Sequence, residues 1–181
     1  MRSQHYISVA IPIPGHVPPE FVLSFIQTYT PLMQANTALR EFTEVPADVN
    51  AIIDDPFFGT PNNSLRAFEV HESMPMAPGI TKETRWPVHF QCIQDGIRSR
   101  ANATINIVAR AEWTVRQRQD SGSSPGSDST GSTMAAEWEL CDEVVIEANS
   151  LLMPFISKTA DKSHRDITER VLEAAAKAYS K

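Results

Sequence analysis

Cysteine is scarce. Cys92 and Cys141 are the two thiols in 181 residues, and neither stands among other metal ligands. Both fall in stretches that read as strands, which makes them buried free thiols. Long apolar runs are missing as well. The opening MRSQHYISVAIPIPG is interrupted by Pro12 and Pro14 and lacks the continuous core of a signal peptide. No stretch approaches the length of a membrane span. Runs of Lys and Arg are also absent, and the net charge is -6. Such a chain gains nothing from counterion release on nucleic acid and is not drawn to an anionic membrane surface. These absences leave a small molecule or another protein as the expected partner, with the cytoplasm as the expected location. A homodimer is left open.

What is present is patterning. Ile7, Val9 and Ile11 alternate with Tyr6, Ser8 and Ala10 as a first strand, and Pro12–Gly15 ends it. Pro18-Pro19-Glu20 suits a helix start. Phe21, Val22, Phe25, Ile26 and Tyr29 then recur at helical spacing until Pro31, expected to end or kink the helix. Weaker alternation runs from Leu39 to Val45. Residues 46–63, with three prolines and several Asp and Asn, read as a loop. Its apolar pairs Ile52-Ile53 and Phe57-Phe58 suit either a gate over an opening or a loop packed onto the core. Further strands are expected over Leu65–Met74 and Thr81–Ile93. A hairpin signal follows at Gln94-Asp95-Gly96. Ile97–Gln117 is too long for one strand and is expected to break near Ala103–Asn106. Residues 119–133 are Ser/Gly-rich and read as a flexible connection, and Glu137–Ala148 as the last strand. Over 149–179, apolar residues from Leu152 through Ile167 and Val171 to Ala178 form a helical stripe opposite a charged face. The order predicts one α+β domain over residues 1–181. In it a curved antiparallel sheet of about six to seven strands wraps a long C-terminal helix.

Strand parity sorts the faces. Phe68 and Val70, Trp86 and Phe90, Trp113 with Ala109 and Ala111, and Leu140 point toward the helix. His71, His89, Arg110, Glu143 and Glu147 point away. Large aromatics facing alanines suit a lined cavity, and equally a packed core. Two polar residues break the apolar faces. Asp142 shares parity with Leu140 and Val144, and His164 borders the helix stripe. Together they form a candidate acid/base pair, because burial raises a carboxyl pKa and a nearby imidazole opposes that shift. Separately, Asp142 would bond a loop amide and His164 a backbone carbonyl. The five histidines lack metal-ligand spacing. The chain has no phosphate-cradling glycine loop, HExxH or Gly-x-Ser-x-Gly elbow, so neither metal nor cofactor is expected.

Phe68-Glu69-Val70-His71-Glu72, Val88-His89-Phe90 leading to Asp95-Gly96-Ile97-Arg98, Ala111-Glu112-Trp113-Thr114-Val115, and Glu143-Val144-Val145-Ile146 carry a resemblance. So do Leu151-Leu152-Met153-Pro154-Phe155-Ile156 and Ser163-His164. With the element order they resemble the START-like, or SRPBCC helix-grip, superfamily, which includes Bet v 1 proteins and aromatic polyketide cyclases. More narrowly the chain looks like fungal START-like proteins of unassigned function. It departs from them in having Ala103-Thr104-Ile105-Asn106 where a Pro/Gly break is expected. The resemblance implies a hydrophobic ligand between sheet and helix and no obligatory cofactor. The inward-facing Phe68, Val70, Trp86, Phe90, Trp113, Leu140 and Phe155 are the expected ligand contacts in such a pocket; the resemblance transfers no catalytic motif, so Asp142 and His164 stand as the candidate catalytic pair on parity and helical spacing alone. Two functions compete on that pocket. One is a cofactor-free cyclase or isomerase of a polyketide- or terpenoid-like intermediate. The other is a carrier of a lipid or hydrophobic metabolite. A solidly packed interaction module is a third reading.

Overall fold

The computed structural model describes residues 1–77, 80–103, 106–118 and 137–181, with the side chains of 74–81 left aside. The Ser/Gly-rich connection at 119–133 lies outside the described residues. Alternation resolves into seven strands: β1 (Arg2–Pro12), β2 (Leu39–Val45), β3 (Arg66–Ala77), β4 (Ile80–Ile93), β5 (Gly96–Ala103), β6 (Ile107–Gln117) and β7 (Trp138–Asn149). They form one antiparallel sheet in the order β1-β7-β6-β5-β4-β3-β2. Each strand from β2 to β6 lies beside its successor. β1 closes onto the last, so that Val9 stands opposite Asp142.

Two turns show how the sequence sets this register. At Gly96 an added Cβ would lie 1.8 Å from the Trp113 carbonyl oxygen, so only glycine lets β5 leave the Asp95 turn so close to β6. The break between β5 and β6 has no Pro or Gly. Asn106 makes it, with φ at 57°, a left-handed conformation that asparagine tolerates.

The single helix expected up to Tyr29 is two helices, α1 (Pro19–Ile26) and α2 (Thr30–Ala35). Tyr29 separates them with φ at 69°, and its hydroxyl donates to the Ser64 carbonyl at 2.6 Å. Pro31 therefore opens α2 rather than ending α1, in the first turn where its missing N–H costs nothing. The C-terminal stripe becomes α3 (Met153–Tyr179), about 40 Å long. It packs on β1 and β7 and against α1 and α2. Ala160, Ile167, Val171, Leu172 and Ala175 are its buried apolar side chains, worth about 1.5–3 kcal/mol for each of the larger ones.

The segment 46–63 crosses the face of the sheet opposite α3. It takes no part in the wall of the cavity beneath α3, so it is no gate to that cavity. Ile52 and Phe58 are buried against the sheet. The Asp55 carboxylate is 3.0 Å from Arg100 Nη1 and 2.8 Å from Arg110 Nε. Gln91 donates to the carbonyls of Phe58 and Thr60 and accepts from Asn62 N–H. The physical reason is parity. Gln91, Arg100 and Arg110 all lie on the outer face, and a loop carrying apolar pairs and a carboxylate matches them. As a result His89, expected to point away from the helix into water, is buried, and so is Gln91 beside it on the same face.

Candidate functional site

Between the inner face and the helices lies a cavity of about 210 Å³. Its floor spans five strands, with Leu39 contributed by β2. Val70 (β3), Trp86, Val88 and Phe90 (β4) form one side, Trp113 (β6) the other, and Ala101, Ala103, Ala109 and Ala111 lie in the middle. The alanines make the space, since a curved sheet carrying four small side chains at its centre cannot fill the gap beneath a helix. Leu32 and Met33 of α2 and His164 and Ile167 of α3 close the other side. An apolar cavity of about 150 Å³ admits benzene, and drug-sized ligands occupy about 300–1,000 Å³. The space therefore suits one or two rings.

One wall carries ionisable groups. His164 Nδ1 donates to Asp142 Oδ2 at 2.8 Å, and His164 and Thr168 stand one helical turn apart on α3. The Thr168 hydroxyl donates to the His164 carbonyl at 2.8 Å and lies 3.5 Å from Asp142 Oδ2. The Asp142 side chain has no exposure, whereas His164 keeps 18%. Burial pushes the Asp142 carboxyl above its ordinary range, opposed by the hydrogen bond from His164. The imidazole stacks on Trp113, with centroids 6.5 Å apart, and so is held between a carboxylate and an indole. With Nδ1–H committed to Asp142, Nε2 is the nitrogen left to exchange a proton with a molecule in the cavity. Asp142 Oδ1 and Trp113 Nε1 are buried without a partner.

The expected site residues divide. Asp142 and His164 come together, and Val70, Trp86, Phe90 and Trp113 line the cavity with His164, while Asp142 is not in the wall. Phe68 is buried but is not in the wall. Its ring packs 5.9 Å from Phe90 and 6.3 Å from Tyr29 in an aromatic cluster. Leu140 is fully buried in the core, also away from the wall. Phe155 is 75% exposed. It occupies the first turn of α3, where the neighbouring Ile156 is the side chain packed against the core, so Phe155 is no cavity contact. Sequence reasoning missed Ser99, a hydroxyl in the wall. Its parity with Ile97 and Ala101 was the signal. It also missed Leu32 and Met33, because α2 was not anticipated as a separate helix. Among the described residues no three His, Cys, Asp or Glu side chains converge as metal ligands, and no helix is long and apolar enough to cross a membrane.

The same fold recurs in solved structures at low identity. TTHA0849 from Thermus thermophilus superposes with a TM-score of 0.63 at 11% identity, covering 96% of this chain and 99% of that one. The Zhui aromatase/cyclase from Streptomyces sp. R1128 gives 0.63 at 8%, covering 96% and 94%. Ara h 8.0201 gives 0.51 at 9%, covering 94% and 99%. These likenesses establish the α+β helix-grip fold. A comparison with curated proteins finds no match. The model of the family described as "Domain of unknown function (DUF7053)" matches residues 2–177, and the chain belongs to that family.

Proposed function

We propose that the protein takes a ring-sized hydrophobic metabolite, polyketide- or terpenoid-derived, into the cavity between sheet and α3. There the Asp142–His164 pair moves a proton, in a cyclase- or isomerase-type reaction. One observation carries this reading: an imidazole on the wall of an apolar cavity, fixed by a fully buried carboxylate 2.8 Å away. Asp142 orients the ring and stabilises its protonated form, and Nε2 acts as base and then acid. A proton taken from the carbon beside a ligand carbonyl leaves an enolate. Returning that proton elsewhere on the ligand is an isomerisation, and attack by the enolate carbon on a second carbonyl closes a ring. The name of the Zhui aromatase/cyclase, which has this fold, supports the reaction class.

The test uses 2-tetralone, a two-ring ketone matched to the cavity. In D2O its α-protons should exchange faster with the protein than in buffer, saturably. His164→Gln and Asp142→Asn should each lower that rate about 10²-fold or more while keeping most of the affinity. Saturable binding with no acceleration would leave the carrier reading. That reading draws its own support from the buried Thr168, through which the same contacts tie α3 to β7.

A further inference from the structure

The wall of the cavity carries three polar side chains, Asn36, Ser99 and His164, and the mechanism above uses only the last. Asn36 caps the end of α2, and its side-chain carbonyl accepts from the Ala38 N–H at 3.1 Å. Ser99 lies in the floor. Its register neighbours are Phe90 on β4 and Ala111 on β6, and Ala101 and Ala103 follow it on the same face of β5. The side chain is buried, and among the described residues its hydroxyl makes no hydrogen bond. Buried hydroxyls in folded proteins are nearly always paired. Alanine, which occupies the positions around it, would fill this place without burying a polar group. The proton-transfer reading has a matching gap. Removing a proton beside a carbonyl puts negative charge on the carbonyl oxygen, and the dyad acts at the carbon.

We propose that Ser99 holds this oxygen. Its hydroxyl donates to the ligand carbonyl, and more strongly to the enolate that forms as His164 Nε2 takes the proton. The inference rests on the cavity being the site of that reaction. Ile97 stands opposite Trp113, the residue on which His164 stacks, and Ser99 is two residues further along β5. One strand interval and two residues put the Cα atoms of Ser99 and Trp113 about 8 Å apart. Ser99, Trp113 and His164 all line the same cavity. A ketone lying between sheet and α3 spans this gap, its oxygen toward Ser99 and its α-carbon toward Nε2. Ser99 loses no proton: one C–H bond breaks, Nε2 gains the proton, and the electron pair moves onto an oxygen that already accepts from Oγ–H. A donor aimed at charge that develops in the transition state accelerates the step more than it tightens binding. Ser99 therefore selects ligands that carry a carbonyl over hydrocarbons of the same shape.

The experiment uses 2-tetralone labelled with carbon-13 at the carbonyl, bound to the wild type, Ser99→Ala and His164→Gln. Infrared difference spectra read the carbonyl band, and α-proton exchange in D2O reads the reaction. The band should move to lower frequency in the wild type and in His164→Gln, and the shift should vanish in Ser99→Ala. At saturating ketone the exchange rate of Ser99→Ala should fall about 10²-fold, with KM within about threefold. Urea unfolding should show that this variant is as stable as the wild type. If Ser99→Ala keeps both the shifted band and the rate, the assignment of Ser99 fails and the dyad stands. A loss of rate without any band shift in the wild type would also overturn it, leaving Ser99 a packing residue. If the shift depends on Ser99 but the wild type accelerates no exchange, the proton-transfer reading fails and Ser99 stands as the carbonyl anchor of a carrier. If 2-tetralone does not bind, the cavity reading fails and takes this one with it.

Discussion

Along β6, Ala109, Ala111 and Trp113 face the cavity, while the alternate residue Arg110 is held on the opposite side by Asp55 and Glu147. Both faces of the sheet are therefore covered and both carry buried charge, but the charges are handled differently. On the outer side the charged groups are paired, and His89 is left without a partner. Asp55 takes two arginines and a backbone amide from Phe57, Gln91 uses both ends of its amide, and Arg98 pairs with Glu112 beneath the Phe57 ring. On the inner side Asp142 Oδ1, Trp113 Nε1 and Thr84 Oγ1 remain unpaired, and Trp113 borders the cavity. A saturated network fixes a segment in one position. An unsaturated one next to a cavity is poised to meet something else. The outer face reads as construction and the inner face as the place of function.

The largest expected effect breaks the outer construction. Asp55→Ala leaves Arg100 and Arg110 facing each other without their shared carboxylate. Losing one member of a buried charge network costs about 3–5 kcal/mol. The lower end applies here, because each arginine side chain keeps 18% exposure and Arg110 retains Glu147. Urea unfolding should show the loss, and amide exchange should rise across residues 46–63. Affinity for 2-tetralone should stay within about twofold. Equal loss of binding and stability would mean that the two faces are not separable, and the contrast between them would fall.

The inner face was the more legible of the two in the sequence, and the reason is geometric. Period two fixes which strand residues share a face, and period 3.6 fixes which helix residues do. Asp142 stood out as a carboxylate among Leu140 and Val144, and His164 as an imidazole on the border of an apolar stripe. Once sheet and helix pack, residues singled out by both rules are brought together. No such rule reaches residues 46–63. A loop between β2 and β3 can fold over either face, and its apolar pairs say that it is covered without saying by what. The deciding signal was complementarity. Asp55 has a counterpart in the outward pair Arg100 and Arg110, and Phe57 has one in Arg98, but that match is visible only once the strand register is known. Phe155 shows a related limit: periodicity groups Phe155 and Ile156 into one stripe without saying which of them turns to the core.

A pair of matched substitutions sharpens the contrast. Ala67 on the outer face is 2% exposed beneath the loop, whereas Ala109 lines the cavity. Enlarging a residue in a packed layer costs about 1–3 kcal/mol, so Ala67→Leu should destabilise by that amount and leave ligand binding intact. Ala109→Leu places the same methyl groups in open space. It should change stability by less than about 1 kcal/mol and abolish 2-tetralone binding. Chemical unfolding and titration of both variants give four numbers. If stability and binding fell together in both, the inner space would be too small to act as a site.

The smallest effect appears only in acid. His89 lies on the outer face, 2% exposed, with neither ring nitrogen partnered. Its register neighbours are Ala67 and Arg100. Burial pushes its pKa down, with Arg100 adding to that and Asp48 opposing it. The unfolded chain binds a proton on this imidazole near pH 6.5, whereas the folded chain resists doing so. The stability His89 contributes is therefore complete above that pH and is lost as the pH falls below it. His89→Leu removes the titration while keeping the side chain apolar and of similar bulk, and replacing an unpaired buried group in this way can be neutral or stabilising. Unfolding free energies measured from pH 8 to pH 5 should thus coincide or favour the variant at the alkaline end, and diverge further in its favour toward the acid end. Parallel curves would mean that His89 titrates alike in both states. Water would then reach beneath residues 46–63, and the outer face would be less tightly sealed than its hydrogen bonds imply.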